Sequence, residues 1–274
     1  MHICTFAYLH IEETYQKNPY FRINKKSILI KMENQNQDYT YQNVVQIEDA
    51  DQSRKFIASV FLWMFVALGI SSIAAYSFAT SPTLLQLLFD ASTRQPTILF
   101  YVAMFSPLAF VLLIRYGLNR ISYVGLSLLF IAYSIATGIS LSFILLVYTS
   151  SSVIGVFLTS SVVFGIMAIA GYTTKTDLTK FGALMIMLLI GIIVASLINL
   201  FLHSTGLEML ISYVGVAVFV GLTAYDVQKL KRIGAGLEYG EASYKKMALM
   251  GGLTLYLDFI NLFLMLLRIF GRRR

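Results

Sequence analysis

Apolar residues dominate the chain from residue 56 onward, in seven runs that are separated by short polar stretches. Each run has about the 20 residues that an α-helix needs to cross the hydrocarbon core of a bilayer. The polar stretches carry Gly, Ser, Thr or Pro, which are frequent where helices end. The pattern predicts transmembrane helices over residues 56–79, 97–115, 121–148, 152–171, 182–202, 209–230 and 248–268.

The seven runs do not alternate between apolar and polar residues, as the strands of a membrane β-barrel do. A segment exposed to lipid must satisfy its own backbone hydrogen bonds, so these runs are expected to be helices. The sequence therefore predicts an all-α integral membrane protein. Its seven transmembrane helices occupy residues 54–271, and a basic C-terminal end follows at 272–274.

Residues 1–53 form a polar tail without the apolar core of a secretory signal. The composition of this tail changes at Met32, after which the chain is acidic and rich in amides. Our hypothesis is that Met32 is the natural start and that residues 1–31 are an upstream extension. The intact mass of the native protein tests it, because a species beginning at Met1 would contradict it.

Composition supports the membrane assignment. The chain has 57% hydrophobic and only 13% charged residues, with a mean hydropathy of +0.72, whereas soluble domains carry about 25% charged residues. The single cysteine, Cys4, excludes a disulfide framework and a cysteine-based metal site. A net charge of +7 would suggest nucleic acid in a soluble chain, but in a membrane protein its placement matters more. We predict neither a nucleic-acid partner nor a cofactor.

The distribution of Lys and Arg predicts a cytoplasmic N-terminus. The tail and alternate loops hold most of these residues, and the loops on the other side hold only Arg94. Arg268 and the three arginines of 272–274 do not fit this rule, since a complete seventh crossing would place them outside. Either the last helix crosses against the rule, or it is re-entrant and the C-terminus returns to the inside.

Two carboxylates lie within the predicted spans, Asp226 in the sixth and Asp258 in the seventh. An ionisable group inside a membrane is costly and is a functional candidate by default. Asp258 shares its helical face with Gly251, Thr254 and Asn261, which we expect to line a pore or cavity.

Each aspartate also has a structural interpretation. Asp258 can stay protonated and only join helices. Asp226 can lie at the inner surface and pair with Lys229 or Lys231. The predicted helix ends leave open whether the two aspartates meet.

Catalytic motifs are missing from the sequence. It contains neither H-E-x-x-H nor G-x-S-x-G. Intramembrane aspartyl proteases pair Tyr-Asp with Gly-x-Gly-Asp, and here no glycine directly precedes Asp258. We predict that the protein is not an enzyme.

Four segments carry a family resemblance: "ATGISLSFI" (136–144), "GYTTKTDLTKFG" (171–182), "TAYDVQKLK" (223–231) and "LYLDFINLFLMLLRIFG" (255–271). Together they resemble the Bax inhibitor family, the transmembrane Bax-inhibitor-motif proteins, and more narrowly its bacterial inner-membrane branch. The resemblance covers about residues 50–271, in the same order along the chain, and does not include the tail.

The resemblance implies seven helices with the last one central and wrapped by the other six. It also implies a calcium leak gated by pH, in which Asp226 and Asp258 form the sensor and contact Ca²⁺ transiently. Arg115 lies where an arginine is expected to latch the first aspartate. An acidic residue that the family can place in the second helix has no counterpart, because residues 97–114 contain neither Asp nor Glu.

The implied mechanism rests on simple electrostatics. Two close carboxylates in a low dielectric share one proton, because both cannot ionise easily. Loss of the proton adds repulsion that biases the sixth helix against the seventh, and the cavity then admits a hard cation such as Ca²⁺.

Three functions remain in competition at this point. The first is the pH-sensitive calcium leak of a bacterial inner membrane, with the lipid bilayer, Ca²⁺ and protons as partners. The second is a regulatory protein that binds membrane proteases or other membrane proteins. The third is a proton-coupled transporter, although the chain lacks the repeat halves that transporters often show.

Overall fold

The computed structural model describes residues 39–90, 95–118, 120–237 and 241–274, with side chains from residue 51 onward except that of Arg115. Met32 and the rest of the tail before residue 39 lie outside the described residues, as do Arg94 and the Arg115 side chain. The helices are α1 (Tyr39–Thr80), α2 (Pro82–Leu88), α3 (Ile98–Gly117), α4 (Tyr123–Val147), α5 (Ser150–Thr173), α6 (Thr179–Leu202), α7 (Thr205–Ala235) and α8 (Ala242–Phe270).

The described chain is all-α, as predicted, and its helices are those of a membrane protein. Six of them, α1 and α4 to α8, are long and apolar enough to cross a bilayer, and α3 contributes a shorter apolar stretch, Ile98–Ile114. The sequence analysis missed α2, which has only 7 residues and begins with a proline. Proline favours the first helical position, but so short an element produces no distinct apolar run.

The helices extend beyond the apolar runs that predicted them. α7 begins at Thr205, where the Ser204 hydroxyl accepts a hydrogen bond from the Leu207 N–H at 3.3 Å, and it continues to Ala235. Hydropathy detects the apolar middle of a span, whereas polar residues cap and extend its end turns. The sixth predicted helix therefore runs five residues deeper than residue 230.

Burial separates α8 from the other long helices. In the most apolar segment of α8, 83% of the residues are buried, whereas the corresponding value is 28–50% in the other five long apolar helices. α8 packs against α1, α4, α5 and α7. The other long helices expose many large aliphatic and aromatic side chains, as expected for surfaces that face lipid.

The last helix is continuous from one end of the bundle to the other. α8 has 29 residues, a length of about 43 Å. Near its start, Lys245 Nζ lies 6.0 Å from the ring centroid of Tyr123, the first residue of α4. Beyond its end, the Arg274 N–H donates to the Val147 carbonyl at 2.9 Å, at the end of α4. α8 therefore runs the full length of α4 and is not re-entrant.

A glycine on α5 sets how closely two helices approach. A Cβ atom on Gly171 would overlap the backbone of Ala224 in α7. On the same helix, a Cβ on Gly165 would meet nothing within 4 Å. The two glycines therefore form a matched pair, one at a helix contact and one in open space.

We expect Gly171→Ala to lower the thermal unfolding midpoint in detergent, because an added methyl group must push α5 and α7 apart. Overpacking of this kind costs about 1–3 kcal/mol. Gly165→Ala should be neutral or slightly stabilising, since alanine favours the helix by about 1 kcal/mol. Equal midpoints for the two variants would show that the α5–α7 contact is not tight.

Candidate functional site

The two helices that carry the intramembrane aspartates are antiparallel neighbours in close contact. A Cβ on Gly251 of α8 would lie 2.7 Å from Leu230 Cδ2 of α7, and one on Gly215 of α7 would lie 3.0 Å from Met265 Cγ of α8. Leu230 therefore faces Gly251, and Gly215 faces Met265. These two contacts fix the register of α7 against α8.

Both aspartates lie on this contact. Asp258 is seven residues from both Gly251 and Met265, which is about two turns, and so shares their face. Asp226 is four residues from Leu230 and lies level with residues 254 and 255 of α8. The two aspartates are thus about one turn, roughly 5 Å, apart along the helix axes.

Burial excludes a surface position for either carboxylate. Asp226 is 1% exposed and Asp258 is 0% exposed. Lys231, one of the two lysines considered as a surface partner of Asp226, donates instead to the Tyr172 carbonyl at 2.8 Å. The predicted position of Asp226 at the inner surface is therefore wrong, and its pairing with Lys229 stays a prediction.

The predicted cavity residues are packed in this conformation. The Thr254 hydroxyl donates to the Met250 carbonyl at 3.1 Å, and Asn261 Nδ2 donates to the Leu257 carbonyl at 2.9 Å. The side chains of Leu230 and Val60 fill the space beside Gly251. A pore lined by Thr254, Asn261 and Gly251 stays a prediction for a more open form.

Arg115 belongs to the last turn of α3, and its side chain lies outside the described part. The end of α3 approaches α8, since Lys246 Nζ donates to the Leu118 carbonyl at 3.1 Å. The positive charge of a lysine near a helix C-terminus also interacts favourably with the negative end of the helix dipole. The role of Arg115 as a latch for Asp226 stays a prediction.

Sequence reasoning missed a hydrogen-bonded cluster on another face of α8. The Tyr256 hydroxyl lies 2.7 Å from Ser71 Oγ of α1, and this serine donates to the Ser134 carbonyl of α4 at 2.7 Å. The sequence analysis did not single out Tyr256. A tyrosine inside an apolar run could have indicated this cluster, because a buried tyrosine hydroxyl usually has a hydrogen-bond partner.

An ion pair lies at the C-terminal end of α8. Arg268 Nε is 3.2 Å from Glu208 Oε1 at the start of α7, and the Arg268 side chain is only 9% exposed. The sequence analysis named Arg268 but did not pair it with Glu208. Within the described ranges, no group of three or more His, Cys, Asp or Glu side chains is arranged to hold a metal ion.

A third aspartate, Asp177, lies in the loop between α5 and α6. Its carboxylate accepts hydrogen bonds from the Thr179 hydroxyl at 2.6 Å and N–H at 3.0 Å, and from Arg232 Nη2 at 2.8 Å. These bonds, the hydroxyl bond most of all, hold the pKa of Asp177 well below its usual range. Asp177 therefore stays ionised throughout the neutral range.

Comparison with known proteins agrees with the motifs. A family model described as "Inhibitor of apoptosis-promoting Bax1" matches residues 53–274. The inner membrane protein YbhL of Escherichia coli K12 is 44% identical over 220 residues, which cover 80% of this chain and 92% of that protein. An uncharacterized protein of Borreliella burgdorferi is 43% identical over 220 residues (80% and 93%), and one of Rickettsia prowazekii is 40% identical over 224 residues (81% and 91%). The chain belongs to the Bax inhibitor family.

Proposed function

We propose that this protein is a pH-sensitive calcium leak of the bacterial inner membrane, in which Asp226 and Asp258 share a proton that keeps the pathway closed. The observation that carries the proposal is the burial of both carboxylates on the α7–α8 contact, about one turn apart. Arg115 is proposed as the latch of Asp226. No catalytic step belongs to this function.

The energy of the proposed switch follows from charge repulsion. Two negative charges separated by about 4–6 Å repel each other by roughly 3–4 kcal/mol at an effective dielectric near 20. That repulsion is absent while one proton is shared and appears when the proton leaves. It suffices to shift a closed-to-open equilibrium by a factor on the order of 100 or more.

The direction of the pH response follows from this repulsion, which appears when the pair loses its proton and favours the open form. Raising the pH removes the shared proton, separates α7 from α8 and opens the pathway. The same deprotonation creates two carboxylates, oxygen ligands that attract Ca²⁺ transiently. Asp177 does not supply this response, because its pKa lies below the range in which the leak is expected to change.

The proposal includes the arrangement in the membrane. α8 is the central helix of seven crossings, and α3 supplies the shortest crossing. The start of α1 is cytoplasmic, as the distribution of Lys and Arg favours. The C-terminus then lies outside, because α8 traverses the whole bundle.

Proteoliposomes that contain only this protein test the proposal. We expect Ca²⁺ entry at about pH 8, where the pair has lost its proton, in clear excess over empty liposomes. Entry indistinguishable from empty liposomes at every pH would contradict the leak. It would favour the function as a partner of other membrane proteins.

A further inference from the structure

The connection between α5 and α6 is fastened to α7 by one buried side chain. Gln228 of α7 is 5% exposed. Its Oε1 accepts a hydrogen bond from the Leu178 N–H at 2.9 Å, and its Nε2 donates to the Thr176 carbonyl at 2.8 Å. One amide thus satisfies a backbone donor and a backbone acceptor of the connection.

Two cations of α7 extend the same attachment. Lys231 Nζ donates to the Tyr172 carbonyl at 2.8 Å and lies 4.6 Å from the Tyr172 ring centroid. Arg232 Nη2 contacts Asp177 Oδ1 at 2.8 Å and Gln228 Oε1 at 2.9 Å. We call these contacts of Gln228, Lys231 and Arg232 with Tyr172, Thr176, Asp177 and Leu178 the loop clamp.

The loop clamp joins three helices at the end of the bundle where α7 finishes. It ties α7 to the end of α5 and to the start of α6. Gln228 follows Asp226 by two residues, a rise of about 3 Å along α7. A movement of α7 that separates Asp226 from Asp258 must therefore either break the clamp or carry the connection with it.

The centre of the clamp does not titrate in the neutral range. Gln228 has no ionisable group, and Asp177 stays ionised because its pKa is held low. The clamp is therefore a constant mechanical restraint on α7. The proton that switches the equilibrium belongs to the aspartate pair.

We infer that Gln228 is a positioning residue, which holds α7 in the closed position by binding the α5–α6 connection. This inference rests on the proposed leak and adds a restraint that opposes the repulsion of the aspartates. Loss of the two hydrogen bonds from Gln228 to the connection should make the closed state easier to leave at any pH.

Gln228→Ala tests the inference. At about pH 6, where the aspartate pair keeps its proton, we expect Ca²⁺ entry to rise about tenfold, as the loss of two neutral hydrogen bonds implies. Gln228→Asn keeps the amide on a shorter stem and should give a smaller rise. Amide hydrogen exchange at Leu178 should become faster in both variants.

Thr173→Ala is the matched control at the same end of the bundle. Among the residues that the structure describes, the Thr173 hydroxyl donates within its own helix, to the carbonyls of Ile169 at 2.8 Å and Ala170 at 3.4 Å. We expect wild-type Ca²⁺ entry and wild-type exchange at Leu178. The thermal unfolding midpoint of every variant is measured alongside, so that a rise in flux is separated from loss of the fold.

The outcomes distinguish failure of the loop clamp from failure of the proposed calcium leak on which it rests. Faster exchange at Leu178 with unchanged Ca²⁺ entry overturns the clamp, while a pH response that still depends on Asp258 leaves the leak standing. Unchanged exchange at Leu178 also overturns the clamp, because the connection is then held by other contacts. Absence of Ca²⁺ entry in the wild type overturns the leak and the clamp's role in it.

Discussion

Replacing Asp258 with Asn is expected to abolish the pH dependence of Ca²⁺ entry while the protein remains folded. Asparagine keeps the volume and the hydrogen-bonding capacity of the side chain but carries no charge at any pH. The repulsion of roughly 3–4 kcal/mol between the two carboxylates is then never created. Ca²⁺ entry that changes on the order of 100-fold with pH in the wild type should then be the same at every pH in the variant. Ca²⁺ entry into proteoliposomes over about pH 5 to 9 measures it.

Asp177→Asn is the control for this experiment. It removes the same type of charge from an exposed loop, where the Asp177 carboxylate is already ionised throughout the assay. We expect the pH dependence to remain, with entry raised at every pH because one contact of the loop clamp is weakened. A pH dependence that also remains in Asp258→Asn would remove Asp258 from the sensor.

Replacing Arg115 with Ala is expected to raise Ca²⁺ entry at rest. An arginine fork matches a carboxylate in a bidentate pair, and a hydrogen bond to a charged group contributes about 1.5–3 kcal/mol. Its loss should raise entry at about pH 6 by roughly tenfold to a hundredfold. Arg115→Lys should give an intermediate increase, because lysine supplies a point charge without the fork.

Arg120→Ala serves as the comparison for the arginine experiment. Arg120 lies three residues beyond the end of α3, and it is exposed. We expect no change in resting entry. An increase in Arg120→Ala with none in Arg115→Ala would move the latch to Arg120.

The apolar runs predicted the helices well because lipid imposes a strong and simple constraint on sequence. Each predicted run corresponds to a helix in the described part, although α1 begins at Tyr39 and not at residue 56. Six of these helices are long and apolar enough to cross a bilayer. The pattern has no signal for α2, whose 7 residues form a short helix between two longer ones. It also left α8 as either a crossing or a re-entrant helix, since charge counting alone cannot decide continuity.

The candidate site was only partly predictable for a different reason. The free-energy cost of placing a carboxylate inside a membrane was enough to identify Asp226 and Asp258 as candidates. Their register depends on tertiary contacts, such as Leu230 against Gly251, that no periodicity reveals. The sequence did not indicate a role for Gln228, because a glutamine beside Lys229 and Lys231 is typical of a polar helix end. Its two backbone hydrogen bonds join positions about 50 residues away in the chain.

The pH profile of the unmodified protein tests the central claim most directly. Ca²⁺ entry into proteoliposomes is measured from about pH 5 to 9, a range that brackets the titration of a buried carboxylate pair. A proton shared by Asp226 and Asp258 in the closed form predicts entry that rises with pH and then levels off. Entry that falls steadily as the pH rises would contradict this gating, even if both aspartates proved essential.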